Sequence, residues 1–359
     1  MNSICIVIAI LLLCLSGRGT EAMETEKRII DIHCHTAGIG AGGSGCFVST
    51  ALRQSWKYRI YLKSFGVTEK ELQKEGDRLI LQRLSEKLAG SRRVAAAVIL
   101  AMDGVVDENG ELDKARTEIY IPNEFVVAET GLYPNLLFGA SINPYRGDAL
   151  QRLDKAAIDG AVLVKWLPSI QHIDPADERL IPFYLKLKAL GLPLLTHTGA
   201  ESSFTLTRDE LGDPERLRLP LSLGVTVIAA HAASNGKNRG EQNHDRFLRL
   251  CREYPNLYAD ISALTLANRL GHLQKVLRHP ELQGRLLYGS DMPLPETGLA
   301  TPWLQLFSLG LRETRRLAAI TNLWDRDVEL NLALGLPEPV LDRAADILRL
   351  PHPDKWRKS

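Results

Sequence analysis

Cysteine is scarce in this chain. Five fall in 359 residues (Cys5, Cys14, Cys34, Cys46 and Cys251), at spacings that make neither a disulfide framework nor a zinc ribbon. An excess of one charge is missing as well: 44 Lys and Arg against 43 Asp and Glu leave +1. No overall field therefore draws nucleic acid or an acidic membrane. Only 6% of residues are aromatic, yet 45% are hydrophobic and 24% charged, the make-up of a globular chain with a large core, which excludes intrinsic disorder. The 28 Gly and 18 Pro are too few for a collagen-like or low-complexity chain. No internal repeat stands out. Composition alone leaves open two medium domains or one large α/β domain.

The N-terminus reads as a separate object. Residues 4–15, ICIVIAILLLCL, are apolar and uncharged. The run is too short to span a bilayer but has the length of a signal-peptide core. A signal peptide or membrane leader is expected over residues 1–22, with a possible tether through residues 4–15. The protein would then be exported, periplasmic or extracellular, or membrane-tethered. Met-Asn-Ser contributes only the α-amino charge, and Thr20-Glu21-Ala22 gives a loose cleavage frame. Leu13 before Cys14 does not suit a lipoprotein signal. The competing reading takes Met23 as the true start of a cytoplasmic protein.

Beyond residue 27 the chain alternates short apolar runs with longer amphipathic stretches. The runs are residues 29–35, 94–102, 136–143, 161–167, 193–198, 225–231, 257–262 and 285–291. Helix-like segments between them include 149–158, 177–190, 245–254 and 267–279. Near-continuous apolar runs are the mark of strands buried on both faces of a parallel sheet. Eight such units predict an α/β fold, a closed (β/α)₈ TIM barrel over residues 23–335. Its long first βα loop, residues 36–93, is expected to act as a lid. Within that loop the glycine-rich segment 38–45 follows two histidines and precedes no clear helix, so it reads as a mobile loop and not a phosphate cradle. Arg53, Trp56, Lys57, Tyr58 and Arg59 read as a solvated basic face. Residues 336–359 form a C-terminal tail, with a short helix at 341–350 packing on the outside.

The polar residues fall at strand ends. His33 and His35 close the first run, and side-chain alternation places both on one side, with Ile32 and Cys34 on the other. Two imidazoles so spaced suit a shared metal ion, while Cys34 belongs to the layer between barrel and helices. Lys165, His197, His231 and Asp291 end the fourth, fifth, sixth and eighth runs. In a barrel these ends converge at one rim, where active sites lie. Each residue alone carries little weight; the joint placement of four of the nine histidines carries much more. His172, His244, His272, His279 and His352 sit in loops, helices or the tail and are expected to be structural.

DIHCH, VKWLPS, THTGAE, AHAAS and YGSDMP, in that order, resemble the amidohydrolase superfamily, over about residues 28–335. They are most similar to its amidohydrolase-related branch, which includes metal-dependent hydrolases and enzymes like aminocarboxymuconate-semialdehyde decarboxylase. The resemblance implies a divalent metal, zinc by preference, one or two per chain, with His33, His35, His197 and Asp291 as ligands. His231 matches the sixth-strand histidine, and Asp31 the acidic residue of DxHxH, in an orienting role. Lys165 matches a lysine that in binuclear members is carboxylated and bridges two metals. Its intervals, 32 residues to His197 and 34 more to His231, fit that arrangement. A charged Lys165 that binds a substrate carboxylate is the other reading.

The expected function is hydrolysis of a small ester, lactone or amide by water activated on the metal. Asp291 would be the proton acceptor, and His231 either a ligand to a second metal or a hydrogen-bond donor to the developing oxyanion. Two alternatives stand: a nonoxidative decarboxylase of a small unsaturated or aromatic acid, and an exported metal-holding binding protein without turnover. The partner is a small molecule, and the sequence leaves the oligomeric state open.

Overall fold

The protein is described here by a computed structural model covering residues 29–201 and 203–351. The leader expected at residues 1–22, Met23 and His352 lie outside the described residues. Within them, no helix is long and apolar enough to cross a membrane.

Eight parallel strands follow one another in sheet order as in sequence: β1 (Ile29–His35), β2 (Val94–Leu100), β3 (Leu136–Ala140), β4 (Leu163–Trp166), β5 (Leu194–Thr196), β6 (Val227–Ala229), β7 (Leu257–Asp260) and β8 (Leu286–Leu287). The ring closes between the extension of β8 and β1. Ile32 N donates to Tyr288 O (3.2 Å), Asp291 N to His33 O (2.9 Å) and His35 N to Met292 O (2.9 Å). The fold is the TIM barrel that the eight runs predict. Its strands are shorter than the apolar runs because the residues just past them turn toward the mouth.

Two apolar layers hold the barrel together. Inside, Ile30, Val98, Leu195, Ile228 and Leu287 fill the lower half. Outside, side chains such as Val164, Trp166, Leu194 and Ala259 meet the surrounding helices. The alternation expected along β1 breaks. Asp31 pairs with Ala97 and Cys34 with Ile99, so three steps on β1 match two on β2. The extra residue is a β-bulge. Ile32 consequently joins the inner layer while Cys34 joins the outer one, and they do not share a side as expected. His33 and His35 both still face inward.

The glycine-rich segment is also more ordered than a loose loop. The Asp77 carboxylate accepts from Ile39 N (2.9 Å), Gly40 N (2.9 Å) and Ser44 Oγ (2.5 Å). A Cβ on Gly38 would stand 2.6 Å from Asp77 Oδ2 and 2.7 Å from Cys46. The glycines thus let the chain wrap one buried carboxylate. Helices Thr50–Gln54 and Trp56–Ser64 of the same connection form a wall of the pocket at the barrel mouth. Arg53 pairs with Glu69, as a solvated face would, but Tyr58 turns toward the pocket.

The C-terminal segment departs most from expectation. In place of one outer helix there are two short turns, Pro339–Asp342 and Ala344–Ile347. Ala344, Ala345, Leu348 and Leu350 join the inner layer, and Arg349 N donates to Val162 O (3.1 Å) at the start of β4. The open lower end of a barrel exposes apolar side chains to water, and this segment covers them. Leu348→Ala is expected to lower stability by about 2–4 kcal/mol, the range for deleting a buried leucine side chain, in a urea unfolding titration. Leu185→Ala, at a half-exposed position, should change it by less than about 0.5 kcal/mol. Equal effects would show that the segment is not part of the core.

Candidate metal centre

The bulge and the closing seam bring the donors together. His33 Nε2 lies 3.1 Å from His35 Nε2, and Asp291 Oδ1 lies 3.4 Å from the first and 3.3 Å from the second. Zinc with ligands at about 2.1 Å in tetrahedral array needs donors roughly 3.4 Å apart. The triangle matches that spacing. Close approach requires Gly289, where a Cβ would stand 2.9 Å from His33 Cβ.

His33 and Asp291 are each held in a defined protonation state. His33 Nδ1 donates to Asp260 Oδ2 (2.8 Å), which leaves the Nε2 lone pair facing the triangle. Burial, then the charge of Lys165, push the His33 pKa down to about 4 against the pull of Asp260 and Asp291. Burial would raise Asp291, but His33, His231 and His35 hold it well below the usual carboxylate range. It is an anion. Asp31 contacts none of these donors. It faces the outer layer and accepts from His33 N (3.0 Å), Ser290 N (2.9 Å), Ser290 Oγ (2.5 Å) and Trp324 Nε1 (2.8 Å). Its orienting role thus acts through the backbone of β1 and of the β8 extension.

The other expected residues surround the triangle. Lys165 Nζ lies 3.1 Å from His33 Nε2, and burial lowers its pKa to about 8. The His231 ring stacks on His33 at 5.2 Å, and its Nδ1 sits 3.0 Å from Ser262 O. A carbonyl only accepts, so Nδ1 carries the proton and Nε2 is bare. Burial keeps His231 neutral, its pKa well below the ordinary value. This departs from the oxyanion-donor role, because a bare nitrogen cannot donate. His197 lies edge-on to His231 at 5.1 Å, its Nδ1 3.4 Å from Glu201 Oε2. It falls outside the tight triangle, yet its Nε2 is buried with no partner, as a ligand's donor atom would be. His172, His244, His272 and His279 belong to neither close donor group.

A second close donor group, His33, His231 and Asp260, is tied together by hydrogen bonds. Besides His33, the Asp260 carboxylate accepts from His231 N (2.7 Å), Ser262 Oγ (2.5 Å) and Ser262 N (3.2 Å). Sequence reasoning passed over Asp260, Ser262, Glu201 and Arg269. The first stood in plain view as the one charged residue at the end of the run LYADIS.

His231 (φ 57°) and Asp291 (φ 61°) both adopt the left-handed region, uncommon for residues with a Cβ. The turn at each strand end aims the side chain across the mouth. All the expected ligands except His33, which lies beneath, line one pocket with Lys165, Tyr61, Phe204 and Arg269.

Comparison with known proteins bears on the fold and the family. An uncharacterized TIM-barrel protein from Bordetella bronchiseptica is similar in fold: 17% identity, TM-score 0.52, 84% of this chain and 99% of that one. A 4-oxalomesaconate hydratase from Rhodopseudomonas palustris gives 15%, 0.43, 85% and 97%. A 5-carboxyvanillate decarboxylase from Sphingomonas paucimobilis gives 13%, 0.45, 90% and 99%. Comparison with curated protein sequences finds no match. The amidohydrolase family profile matches residues 30–318, most of the barrel with every expected site residue, and the chain belongs to that family.

Proposed function

We propose that this amidohydrolase-family enzyme is a metal-dependent hydrolase of a small ester, lactone or amide. The observation that carries the reading is the triangle of His33 Nε2, His35 Nε2 and Asp291 Oδ1, three donors at tetrahedral spacing. These residues would hold a divalent ion, zinc by donor chemistry, with the bare nitrogens of His197 and His231 as further donors. Such an ion, when bound, lowers the pKa of water and polarises a carbonyl.

The chain's own groups do the rest. Asp291, kept ionised, accepts the proton of the attacking water and returns it to the leaving group. Asp260 holds the His33 proton on Nδ1 and so keeps Nε2 available. Neutral His231 offers a second acceptor. Lys165 donates to the His33 lone pair that a metal would take, and with that lone pair occupied its amine would be free to face the pocket. The freed amine either becomes carboxylated, since burial already favours its neutral form, or meets a substrate carboxylate.

Elemental analysis of the purified chain, with a panel of esters, lactones, amides and carboxylic acids, tests the reading. Bound divalent metal and hydrolysis abolished by chelation are expected. Carbon dioxide release from an acid without hydrolysis would establish a decarboxylase instead, and metal without turnover a binding protein.

Three variants sharpen it. Asp291→Asn should fold, keep part of its metal and lose kcat by roughly 10²–10⁴-fold, the contribution of a positioned base; near-normal kcat would move the proton chemistry to His231. Asp260→Asn should weaken metal affinity about 10–100-fold in a competition titration, because the His33 tautomer is no longer fixed. Unchanged affinity would remove its orienting role. Lys165→Ala should lose metal and activity together if the residue is a carboxylated bridge, with partial rescue by short carboxylic acids. Normal metal content with a raised KM would assign it to the substrate.

A further inference from the structure

Three arginines are buried among the described residues: Arg146, Arg246 and Arg269. Two are satisfied in the same way. Arg146 donates to both oxygens of Asp103 at 2.7 and 2.5 Å, and Arg246 to both oxygens of Asp213 at 2.8 Å each. These are bidentate pairs in which the buried charge is neutralised. Arg269 is the exception. It is 8% exposed, its Nε is buried without a hydrogen-bond partner, and its side chain lines the pocket above the donor triangle.

Burying a guanidinium without a counter-charge is strongly unfavourable. Asp291 and Glu201 attract the guanidinium across the pocket, but neither pairs with it, and both are engaged elsewhere. Glu201 sits against His197 Nδ1 (3.4 Å) and accepts from Ser203 N (2.6 Å), while Asp291 belongs to the triangle. A break in the helical stretch fixes the arginine in place: Ala267–Arg269 forms a 3-10 turn whose Arg269 N donates to Leu266 O (2.8 Å), and Gly271 (φ 79°) separates it from the helix His272–Leu277. The rest of the pocket is mostly apolar, with Leu52, Leu62, Phe65, Phe204 and Leu266 among its walls.

We infer that Arg269 is the anchor for an anionic group of the substrate, and that the substrate is a monoanion with an apolar or aromatic body. The anion completes the bidentate pair that Arg146 and Arg246 find within the protein. The apolar walls take the body, and the scissile bond reaches the triangle. The inference rests on the hydrolase reading only for the bond that is cut.

Binding to the full-length chain, measured by calorimetry, tests it without turnover. The probes are 3-phenylpropanoate, its neutral counterpart 3-phenylpropanamide, and succinate. The acid should bind at least about 30-fold more tightly than the amide, as expected for one buried charge pair, and more tightly than succinate. Arg269→Met should abolish the preference for acid over amide. Arg269→Lys, which keeps the charge but not the planar fork, should weaken the acid several-fold and leave the amide unchanged. Circular dichroism checks that each variant folds, and the lysine variant decides if the methionine variant does not. No preference in the wild type, a preference that survives Arg269→Met, or acid affinity unchanged in Arg269→Lys overturns the anchor. Equal binding of succinate overturns the apolar half. If the panel shows no hydrolysis while these affinities behave as expected, the hydrolase reading falls and the anchor stands.

Discussion

The Asp260 carboxylate is the interaction on which the site depends. One buried anion at the end of β7 accepts the ring proton of His33 from β1, the backbone N–H of His231 beyond β6 and the hydroxyl of Ser262. Three segments far apart in sequence are thereby fixed to each other and to one protonation pattern. Burial alone would raise its pKa, but contact with His33, then His231 and Ser262, holds it well below the ordinary value. In a low-dielectric interior such a carboxylate is stable only while all its donors are present. The same network that orders the metal-facing nitrogens therefore also stabilises the mouth of the barrel.

Barrel closure and donor assembly are a single event. The bonds that join the β8 extension to β1 run through the backbone of His33, His35 and Asp291. The left-handed turn at Asp291 costs of order 1–3 kcal/mol, and its amide bond to His33 O helps hold it there. His231 is held in its own left-handed turn by the Asp260 contact. Strain at these two strand ends is balanced by hydrogen bonds to a neighbouring strand, across the closing seam for Asp291 and between β6 and β7 for His231.

Much of this was legible in the sequence because burial on both faces writes long apolar runs, and the eight strands lie within the eight runs. The convergence of His33, His35, Lys165, His231 and Asp291 follows from strand ends sharing one rim. What escaped was written in single residues or in register. The bulge at Ile32 depends on how β1 pairs with β2, which no one-strand pattern encodes. Asp260 looks like any buried aspartate until its donors are known. Arg269 is recognisable only by the partner it lacks, and a partner's absence is a fact of three dimensions. The tail at Leu341–Leu350 has helical periodicity, but the open end of the barrel, not periodicity, decides where its apolar side chains go.

That tail has a consequence for synthesis. Ile30 and Ile32 are translated some 310 residues before the side chains that cover them from below, Ala344, Ala345, Leu348 and Leu350. The edge of β1 likewise waits for the β8 extension, some 250 residues later. While the chain is still on the ribosome, the first strand therefore carries an unpaired edge and an uncovered apolar face. Both are features that chaperones bind and that neighbouring nascent chains can pair with. Synthesis of this tail is thus the step that takes the first strand of the barrel out of water.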